Sequence, residues 1–288
     1  MLLIAGTVPD EAFPLIVEPV RITARGLALG ERIVDIARGT PALAAAAAQA
    51  ASVLGDPPPT VCMAGDIGRG QGSRRIYDYL AQNLNDVAPS VLAFHYLQPE
   101  VDGHLKVLLA VQEMQRRPLL IADAGFMYAA KMSGQAKEYD LFTPDAGELA
   151  FLADEEAPHP FYTRGFILHG EASVPEMMER AYRGGNAARY LLVKGATDYV
   201  ANRRSVLHTL SEPNCAAMEA IGGTGDIVTG LAAALMLHGL DIPKAALTAC
   251  LASRLAGKFA EATPASQAAD IIEHAPKALE TALKQLFP

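Results

Sequence analysis

From residue 39 onward, the chain alternates between alanine- and leucine-rich segments of helical length and short runs of apolar residues. In most of the short runs no polar residue alternates with the apolar ones, as expected for strands that are buried on both faces of a parallel sheet. These runs are predicted as strands at 60–64, 90–94, 118–122, 139–142, 189–193 and 198–201. Helices are predicted between them at 41–54, 73–84 and 101–114. The pattern therefore predicts an α/β fold with helices on both faces of a mostly parallel sheet.

The two ends of the chain depart from this alternation. Residues 1–36 form a β-rich N-terminal segment in the prediction, because two apolar runs, 13–22 and 27–36, flank a turn. Three roles stay open for this segment: it covers the sheet edge, forms a lid, or pairs with another subunit. From residue 224 onward, helices are predicted at 226–238, 242–261, 266–273 and 276–286. We expect one domain over 1–288, with its α/β core at 38–288.

Composition and charge narrow the classes of function. Of the 288 residues, 51% are hydrophobic and 19% are charged, which argues against intrinsic disorder. The net charge of −8 disfavours a nucleic-acid polymer as partner, since an acidic surface repels phosphate backbones. No apolar run reaches the roughly 18 residues of a membrane-spanning helix, and no secretion signal is predicted. Three widely separated cysteines indicate neither a disulfide framework nor a zinc site, so a cytoplasmic location is expected.

The most informative segment is the glycine-rich run Ile221-Gly222-Gly223-Thr224-Gly225-Asp226, which precedes a helix of small apolar residues. Glycine lets the backbone come close to a ligand, and the free N–H groups at the start of a helix attract phosphate. Asp226 lies in the first helical turn, where it is suited to accept the proton of an attacking hydroxyl group. An ordinary helix-capping loop is the alternative interpretation. The spacing matches neither the Walker A loop nor the GxGxxG loop.

This run resembles the signature of the ribokinase-like superfamily. Within that superfamily it is most similar to the carbohydrate-kinase-like family of ADP- or ATP-dependent NAD(P)H-hydrate dehydratases. Three further segments of the family occur in the expected order, namely Arg38-Gly39-Thr40-Pro41, Thr143-Pro144-Asp145-Ala146-Gly147-Glu148 and Leu192-Val193-Lys194-Gly195. The resemblance spans about residues 38–260. It implies a ribokinase-like three-layer α/β/α fold with a mostly parallel central sheet.

The resemblance also implies an enzyme that uses ATP or ADP with Mg²⁺. A terminal phosphoryl group would pass to a substrate hydroxyl group; in the dehydratases the phosphate then leaves, which restores a C=C bond in the nicotinamide ring. Asp226 would be the general base, and Glu148 would act on the metal, through water. The implied phosphate- and nucleotide-binding residues are Gly222, Gly223, Thr224, Gly225, Lys194 and Gly195. For Glu148 and Lys194 the alternative is an ordinary side chain that reaches solvent.

On the substrate side the sequence departs from the family pattern. The segment Ile121-Ala122-Asp123-Ala124-Gly125 keeps one aspartate of the family's DADxLN-like segment and is closer to that of small-alcohol kinases. Gly39 and Asp123 are the substrate candidates in the matching segments. The substrate is therefore open between an NAD(P)H hydrate and another hydroxylated metabolite. A small-molecule kinase is the second hypothesis, and a nucleotide-binding protein without catalysis is the third.

A second glycine-rich loop, Gly65-Asp66-Ile67-Gly68-Arg69-Gly70, follows a predicted strand and opens a helix. Its N–H groups and nearby arginines indicate a site for a phosphorylated or nucleotide-like substrate, with Asp66 and Arg69 as contacts. A surface loop without a ligand is equally compatible. His95, at the end of a predicted strand, is a further substrate candidate together with Tyr96, although a hydrogen-bonded histidine at the edge of the core is more common there. The sequence leaves a homo-oligomer open.

Overall fold

Eleven strands lie within residues 1–24, 26–160 and 173–287, the part of the chain that the computed structural model describes, and they form one sheet. In chain order they are β1 (Leu2–Val8), β2 (Ile16–Thr23), β3 (Gly26–Leu29), β4 (Arg32–Val34), β5 (Thr60–Gly65), β6 (Val91–His95), β7 (Leu119–Ala122), β8 (Leu141–Phe142), β9 (Tyr190–Val193), β10 (Asp198–Asn202) and β11 (Val206–Leu210). Across the sheet the order is β11-β10-β9-β8-β7-β6-β1-β5-β2-β3-β4. The neighbouring strands from β9 through β1 to β5 are parallel. Antiparallel strands extend both edges.

Strand β1 lies in the middle of the sheet, with β5 on one side and β6 on the other. All seven of its residues are buried, because helices cover both faces. In the parallel register, Ile4 pairs with Val61 of β5 and with Ala93 of β6. The β-rich character predicted for residues 1–36 is confirmed. Strands β2 to β4 extend one edge of the sheet. Strand β1 lies at its centre, a position that differs from the three roles considered for residues 1–36, which were edge cover, lid and pairing with another subunit.

The helices form two layers, one on each face of the sheet. One layer consists of α1 (Thr40–Leu54), α7 (Thr224–His238), α8 (Ile242–Phe259), α9 (Ala268–Glu273) and α10 (Ala275–Leu286). The other consists of α2 (Gln71–Val87), α3 (Val101–Gln112), α4 (Gly125–Met132), α5 (Ala146–Ala153) and α6 (Val174–Gly184). The predicted α/β architecture with a mostly parallel sheet is therefore confirmed. Among the described residues, no helix combines the length and the apolar character needed to cross a membrane.

Small residues let α1 and α7 pack closely. A Cβ atom added to Gly230 of α7 would lie 2.2 Å from the carbonyl oxygen of Leu43 in α1. The alanines of α1 are buried against the same helix layer. This close packing brings the first turns of both helices to the same end of the sheet. Gly39, just before α1, and Asp226, in the first turn of α7, consequently share a hydrogen bond.

Helices α4, α5 and α6 and strands β1 and β11 were not predicted as separate elements. Helices α4 and α5 have eight residues each and are mostly apolar, so the 3.6-residue alternation of polar and apolar positions has no room to appear. Strand β11 has no buried residue, and its pattern lacks the continuous apolar run of the inner strands. Helix α6 has 11 residues and an amphipathic pattern, so shortness does not explain why it was missed.

Candidate active site

A cavity of about 780 Å³ opens beside the carboxyl ends of the parallel strands. Residues that follow β6, β7, β8 and β9 line it, as expected for an open α/β sheet, where ligands bind at this edge. The first turn of α7 closes one side of the cavity. A separate cavity of about 570 Å³ beside β2 and α1 is lined by none of the residues of the sequence motifs. The larger cavity is therefore the candidate active site.

Asp226 is held at this site by donors from two other elements. It is 7% exposed, and its Oδ2 atom accepts a 2.6 Å hydrogen bond from the N–H group of Gly39. Its Oδ1 atom lies 3.0 Å from Nε2 of His95, the last residue of β6. Burial raises the pKa of this carboxyl group, but His95, the charge of Lys194 and the N–H group of Gly39 together outweigh it, so that the pKa is lowered to about 2. The carboxylate is consequently ionised and fixed in orientation.

The glycine-rich loop supplies backbone N–H groups next to this carboxylate. Gly223 caps α7 with a φ of 98°, a left-handed conformation that favours glycine. The hydroxyl group of Thr224 is directed back to the loop, 3.1 Å from the carbonyl oxygen of Met218. The N–H groups of the first turn have no acceptor within the helix, and Gly223, Thr224 and Gly225 line the cavity. Gly222 lies outside it, in a smaller cavity beside Arg38.

Lys194 and Asp123 form an ion pair at the floor of the cavity. The ammonium group donates to both carboxylate oxygens of Asp123, at 3.0 and 2.9 Å, and the two side chains are only 11% and 2% exposed. Asp123 also accepts hydrogen bonds from the Thr229 hydroxyl group and the Ala124 N–H group. Burial opposes the charge on Lys194, but Asp123 and Glu148 raise its pKa above the ordinary value. Lys194 therefore points into the cavity rather than toward solvent.

Glu148 lies in the first turn of α5 and lines the same cavity. Its carboxylate accepts the N–H group of Asp145 at 2.9 Å, and Asp145 in turn accepts the N–H group of Glu148 at 2.8 Å. This reciprocal pair is a capping box that begins α5. Burial and then the charge of Asp123 raise the pKa of Glu148 to about 8. A cation at this position would favour the ionised form.

The second glycine-rich loop does not reach the cavity. Its N–H groups are bound by its own carboxylate, since Asp66 accepts hydrogen bonds from Gly68, Arg69, Gly70 and Ser73. The guanidinium group of Arg69 pairs with Glu11 at 3.0 Å on the protein surface. The donors that the phosphate hypothesis requires are thus occupied within the protein, and the geometry favours the surface-loop alternative.

Gly39 and His95, two of the predicted substrate contacts, bind Asp226 instead of lining the cavity. His95 is fully buried, and both of its ring nitrogens lie within hydrogen-bond distance of protein oxygens. Among the predicted substrate residues, Asp123 does line the cavity. Gly195, predicted for the nucleotide, also lines it.

Tyr96 and Arg254 also line the cavity; Tyr96 was named beside His95 as a substrate candidate from the sequence, and Arg254 was missed. Tyr96 has a φ of 49°, and its carbonyl oxygen is held by the Thr7 hydroxyl group at 2.6 Å. No sequence signal marks a tyrosine for such a conformation. Arg254 is buried in α8 and donates to Asp198 at 2.7 Å and to the carbonyl oxygens of Gly195 and Ala196. A lone arginine within an apolar helix was the signal that could have identified it.

Comparison with known proteins connects the chain with one enzyme family. A sequence model described as NAD(P)H-hydrate dehydratase matches residues 100–277. An uncharacterized protein of Methanocaldococcus jannaschii is 40% identical over 225 residues, which cover 78% of this chain and 92% of the relative.

Two named relatives are more distant. The bifunctional NAD(P)H-hydrate repair enzyme of Pyrobaculum aerophilum is 30% identical over 59% of this chain and 32% of its own length. The ADP-dependent (S)-NAD(P)H-hydrate dehydratase of Cenarchaeum symbiosum is 30% identical over 54% of this chain and 49% of its own length. The match therefore covers half or less of each of these two proteins.

Solved structures share the fold at low sequence identity. YxkO of Bacillus subtilis superposes with a TM-score of 0.58 at 16% identity and covers 98% of this chain and 91% of its own. The pyridoxal kinase of Staphylococcus aureus, in complex with AMP-PCP and pyridoxal, gives 0.54 at 11% identity, over 88% of this chain and 85% of its own. Phosphofructokinase-2 of Escherichia coli, in complex with fructose-6-phosphate, superposes with a TM-score of 0.51 at 12% identity and covers 96% of this chain and 98% of its own. At these identities the likeness shows the fold alone.

Proposed function

Because the chain belongs to the NAD(P)H-hydrate dehydratase family, and the ribokinase-like fold that the sequence implied is confirmed, we propose that it dehydrates NAD(P)H hydrate with ADP or ATP as phosphoryl donor. The observation that carries this proposal is the environment of Asp226. Its ionised carboxylate lies at the start of α7, beside the glycine-rich loop, in the same cavity as Lys194 and Glu148. The start of α7, the carboxylate of Asp226 and the ammonium group of Lys194 thus lie together, as a phosphate-binding helix start, a base and a positive charge.

In the proposed reaction, Asp226 accepts the proton of the substrate hydroxyl group. Each carboxylate oxygen already accepts one hydrogen bond, from Gly39 or His95, and retains a lone pair for the incoming proton. The low pKa of Asp226 keeps it ionised at neutral pH. The two fixed donors hold the carboxylate in one orientation, so little reorganisation is needed when the substrate binds.

The phosphoryl group of the donor is bound, in this proposal, by the N–H groups of Gly223, Thr224 and Gly225. They lie at the positive end of the α7 dipole, which stabilises the charge that develops on phosphate oxygens. Lys194 adds a full positive charge next to Gly225, since a Cβ atom on Gly225 would lie 3.4 Å from its Nζ atom. Gly195 continues this groove. Gly222 supports the loop from outside the cavity.

Two bond-breaking steps complete the proposed reaction. First, the terminal P–O bond of the donor breaks and a phosphate ester forms at the substrate hydroxyl group, which releases AMP from ADP, or ADP from ATP. The C–O bond of the ester then breaks, and phosphate leaves with the bonding electrons. The neighbouring ring carbon loses a proton, and the C=C bond of the dihydronicotinamide is restored. The outcome is the lyase reaction; a kinase would stop after the first step.

The far end of the cavity fits a nucleotide. Ser253 of α8 lines it and is 2% exposed, and its Oγ atom has no hydrogen-bond partner among the described residues. A buried hydroxyl group without a partner is costly unless a ligand supplies one. We propose that this end holds the base and ribose. The name of the Cenarchaeum symbiosum relative makes ADP the first donor to test.

The residues at the site also fit a Mg²⁺ ion. Three carboxyl groups, those of Asp123, Glu148 and Asp226, lie around the cavity, with Lys194 as the balancing ammonium group. Glu148 would hold the ion through water, because magnesium keeps much of its hydration shell. When bound, the ion supplies charge neutralisation at the phosphate oxygens. Asp66 and Arg69 are left out of the proposal, because Asp66 accepts hydrogen bonds from its own loop and Arg69 pairs with Glu11 on the protein surface.

The test offers NADPH hydrate with ADP or ATP and Mg²⁺ and follows recovery of the NADPH absorbance. We expect recovery with the wild type and a loss of turnover of about 10²–10⁴ in Asp226→Asn, the range for a missing general base. Asp78→Asn, at an exposed position of α2, is the matched control and keeps full turnover. If the NADPH absorbance does not recover, but the nucleotide is consumed when a hydroxylated metabolite is offered, the protein is a kinase and not a dehydratase. Nucleotide binding without any turnover would indicate a protein without catalysis.

A further inference from the structure

We propose that Arg254 is a positioning residue for the nucleotide. From its buried place in α8 it fixes the turn between β9 and β10, so that Gly195 and Ala196 form a wall of the cavity before any ligand binds. This role rests on the proposed function, which places the base and ribose at this end of the cavity. Arg254 acts through the turn and not on the reacting atoms.

The guanidinium group of Arg254 binds four acceptors on three segments of the chain. Its Nε–H group donates to a carboxylate oxygen of Asp198 in β10 at 2.7 Å. Its Nη2 atom donates to the carbonyl oxygens of Gly195 and Ala196, both at 2.9 Å. Its Nη1 atom donates to the carbonyl oxygen of Ser211, after β11, at 2.9 Å. Helix α8 is thereby joined to the β9–β10 turn and to the start of the segment that leads to the glycine-rich loop.

Asp198 holds the same turn from its other side. The carboxylate oxygen that does not contact Arg254 accepts the N–H group of Gly195 at 3.1 Å. The N–H group and the carbonyl oxygen of Gly195 both have partners within the protein. Gly195 is therefore expected to contact a ligand through its α-carbon, while the phosphate-binding N–H groups come from the first turn of α7.

The ion pair between Arg254 and Asp198 is better explained by geometry than by stability. The two residues are only 8% and 6% exposed. Buried ion pairs can often be replaced by apolar residues without loss of stability, because removing both charges from water is costly. The planar guanidinium group offers five N–H donors in a fixed arrangement, whereas a lysine presents its donors from a single nitrogen atom. An arginine at this position can thus hold several acceptors of one turn in place.

The turn that is held in this way faces the cavity. Gly195 and Ala196 are exposed, and both line the cavity. Within 4 Å, a Cβ atom added to Gly195 would meet only the carbonyl oxygen of Thr197, at 3.6 Å, which is an ordinary contact. The protein leaves open space beside Gly195, and the buried Ser253 hydroxyl group, which has no partner among the described residues, lines the same cavity. A wall that is already ordered binds a ligand without the entropy cost of ordering it.

The first experiment is calorimetric titration of the full chain with ADP, and then with ATP, in the presence of Mg²⁺. Arg254→Lys keeps a positive charge beside Asp198 but cannot reach all four acceptors. We expect it to raise the Kd for the nucleotide by about 5–20-fold, because the freed turn must be ordered on binding. An unchanged Kd, or a wild type that binds neither nucleotide, would overturn the proposal. Because no turnover is measured, a failed dehydratase assay leaves a positive result intact.

The second experiment uses Gly195→Ala, which adds a methyl group where the protein itself has room. We expect the urea midpoint to stay at the wild-type value, since the new Cβ atom makes only an ordinary contact within the protein. The Kd for ADP should rise by about fivefold or more, because the methyl group takes space beside the ligand. An unchanged Kd would show that the turn does not face the nucleotide. This variant also tests the proposal if Arg254→Lys fails to fold.

The third experiment separates positioning from a general loss of structure. In the dehydratase assay, Arg254→Lys should raise the KM for ADP, whereas the KM for NADPH hydrate and the kcat at saturating ADP stay near their wild-type values. A general loss of structure would lower kcat and raise both KM values together, and that outcome would refute a role confined to the nucleotide.

The matched control is Arg117→Lys. Arg117 also pairs with a carboxylate, that of Asp140 at 3.2 Å, and donates to the carbonyl oxygens of Pro118 and Glu138, but it lies outside the cavity lining. Its Kd for ADP should equal that of the wild type. An equal rise of the Kd in Arg117→Lys and Arg254→Lys would trace the effect to destabilisation and refute the positioning role of Arg254.

Discussion

Removal of the ammonium group of Lys194 tests how the floor of the cavity is stabilised. In Lys194→Met, Asp123 loses the partner that contacts both of its oxygens in a nearly fully buried place. Lys194 Nζ and Asp123 Oδ2 are 2.9 Å apart, so at an effective dielectric constant of about 20 the attraction between their charges is about 6 kcal/mol. The free-energy cost of removing both groups from water opposes this attraction. Leaving one member of a buried pair without its partner costs about 3–5 kcal/mol. We expect a value near the lower limit, about 3 kcal/mol, because Thr229 and Ala124 still donate to Asp123.

The double variant Lys194→Met/Asp123→Asn separates charge from packing. Its asparagine carries no charge to leave unpaired, and its carbonyl oxygen can still accept a hydrogen bond from Thr229. We therefore expect it to be more stable than Lys194→Met alone, which gives a coupling energy of about 2–3 kcal/mol. Urea unfolding of the three variants and the wild type measures each free energy.

Arg183→Met is the control, because it breaks an exposed pair with Glu179 and should cost less than about 1 kcal/mol. A loss below about 1 kcal/mol in Lys194→Met, or strict additivity in the double variant, would refute the argument from a buried ion pair.

Further predictions concern the helix contact and the metal. Gly230→Ala places a Cβ atom 2.2 Å from the Leu43 carbonyl oxygen, so α1 and α7 must separate; we expect a loss of about 1–3 kcal/mol in urea unfolding, and an unchanged midpoint would contradict the packing. Glu148→Gln should raise the Mg²⁺ concentration for half-maximal turnover by about 10–100-fold, since it removes an outer ligand; an unchanged requirement would exclude Glu148. The pKa of Glu148 is raised to about 8, so its carboxyl group holds a proton at pH 7 that the ion must displace. Calorimetry should accordingly show tighter Mg²⁺ binding as pH rises from 7 to 9, and a pH-independent affinity would contradict this.

Apart from β1, the inner strands were predicted from the sequence, and so was the base of the site, because both have local signals. Continuous apolar runs mark the buried strands, and the glycine-rich run before Asp226 marks a helix start. Gly39 and His95 were recognised as candidates, but their pairing with Asp226 has no local signal, since they lie 187 and 131 positions away from it along the chain. Which loops meet depends on the order of strands in the sheet, and apolar periodicity does not determine that order.

The loop after β5 shows why a glycine-rich pattern is weak evidence on its own. Its glycines expose N–H groups in the way that a phosphate site requires, and its arginines add positive charge. The same stretch contains Asp66, whose carboxylate accepts hydrogen bonds from four backbone N–H groups and so occupies the position that a bound phosphate would need. The run before Asp226 differs, because its carboxylate is bound by Gly39 and His95 and leaves the N–H groups of the first turn available.

The central position of β1 has a consequence for how the protein is made. Both strands that pair with β1 are synthesised later, and the nearer of them, β5, begins at Thr60. At roughly 5–20 residues per second, the apolar segment Leu2–Val8 waits several seconds on the ribosome before a pairing partner exists. Until then its backbone and side chains are open to other nascent chains. The yield of folded protein should therefore depend on chaperones that shield this segment during translation.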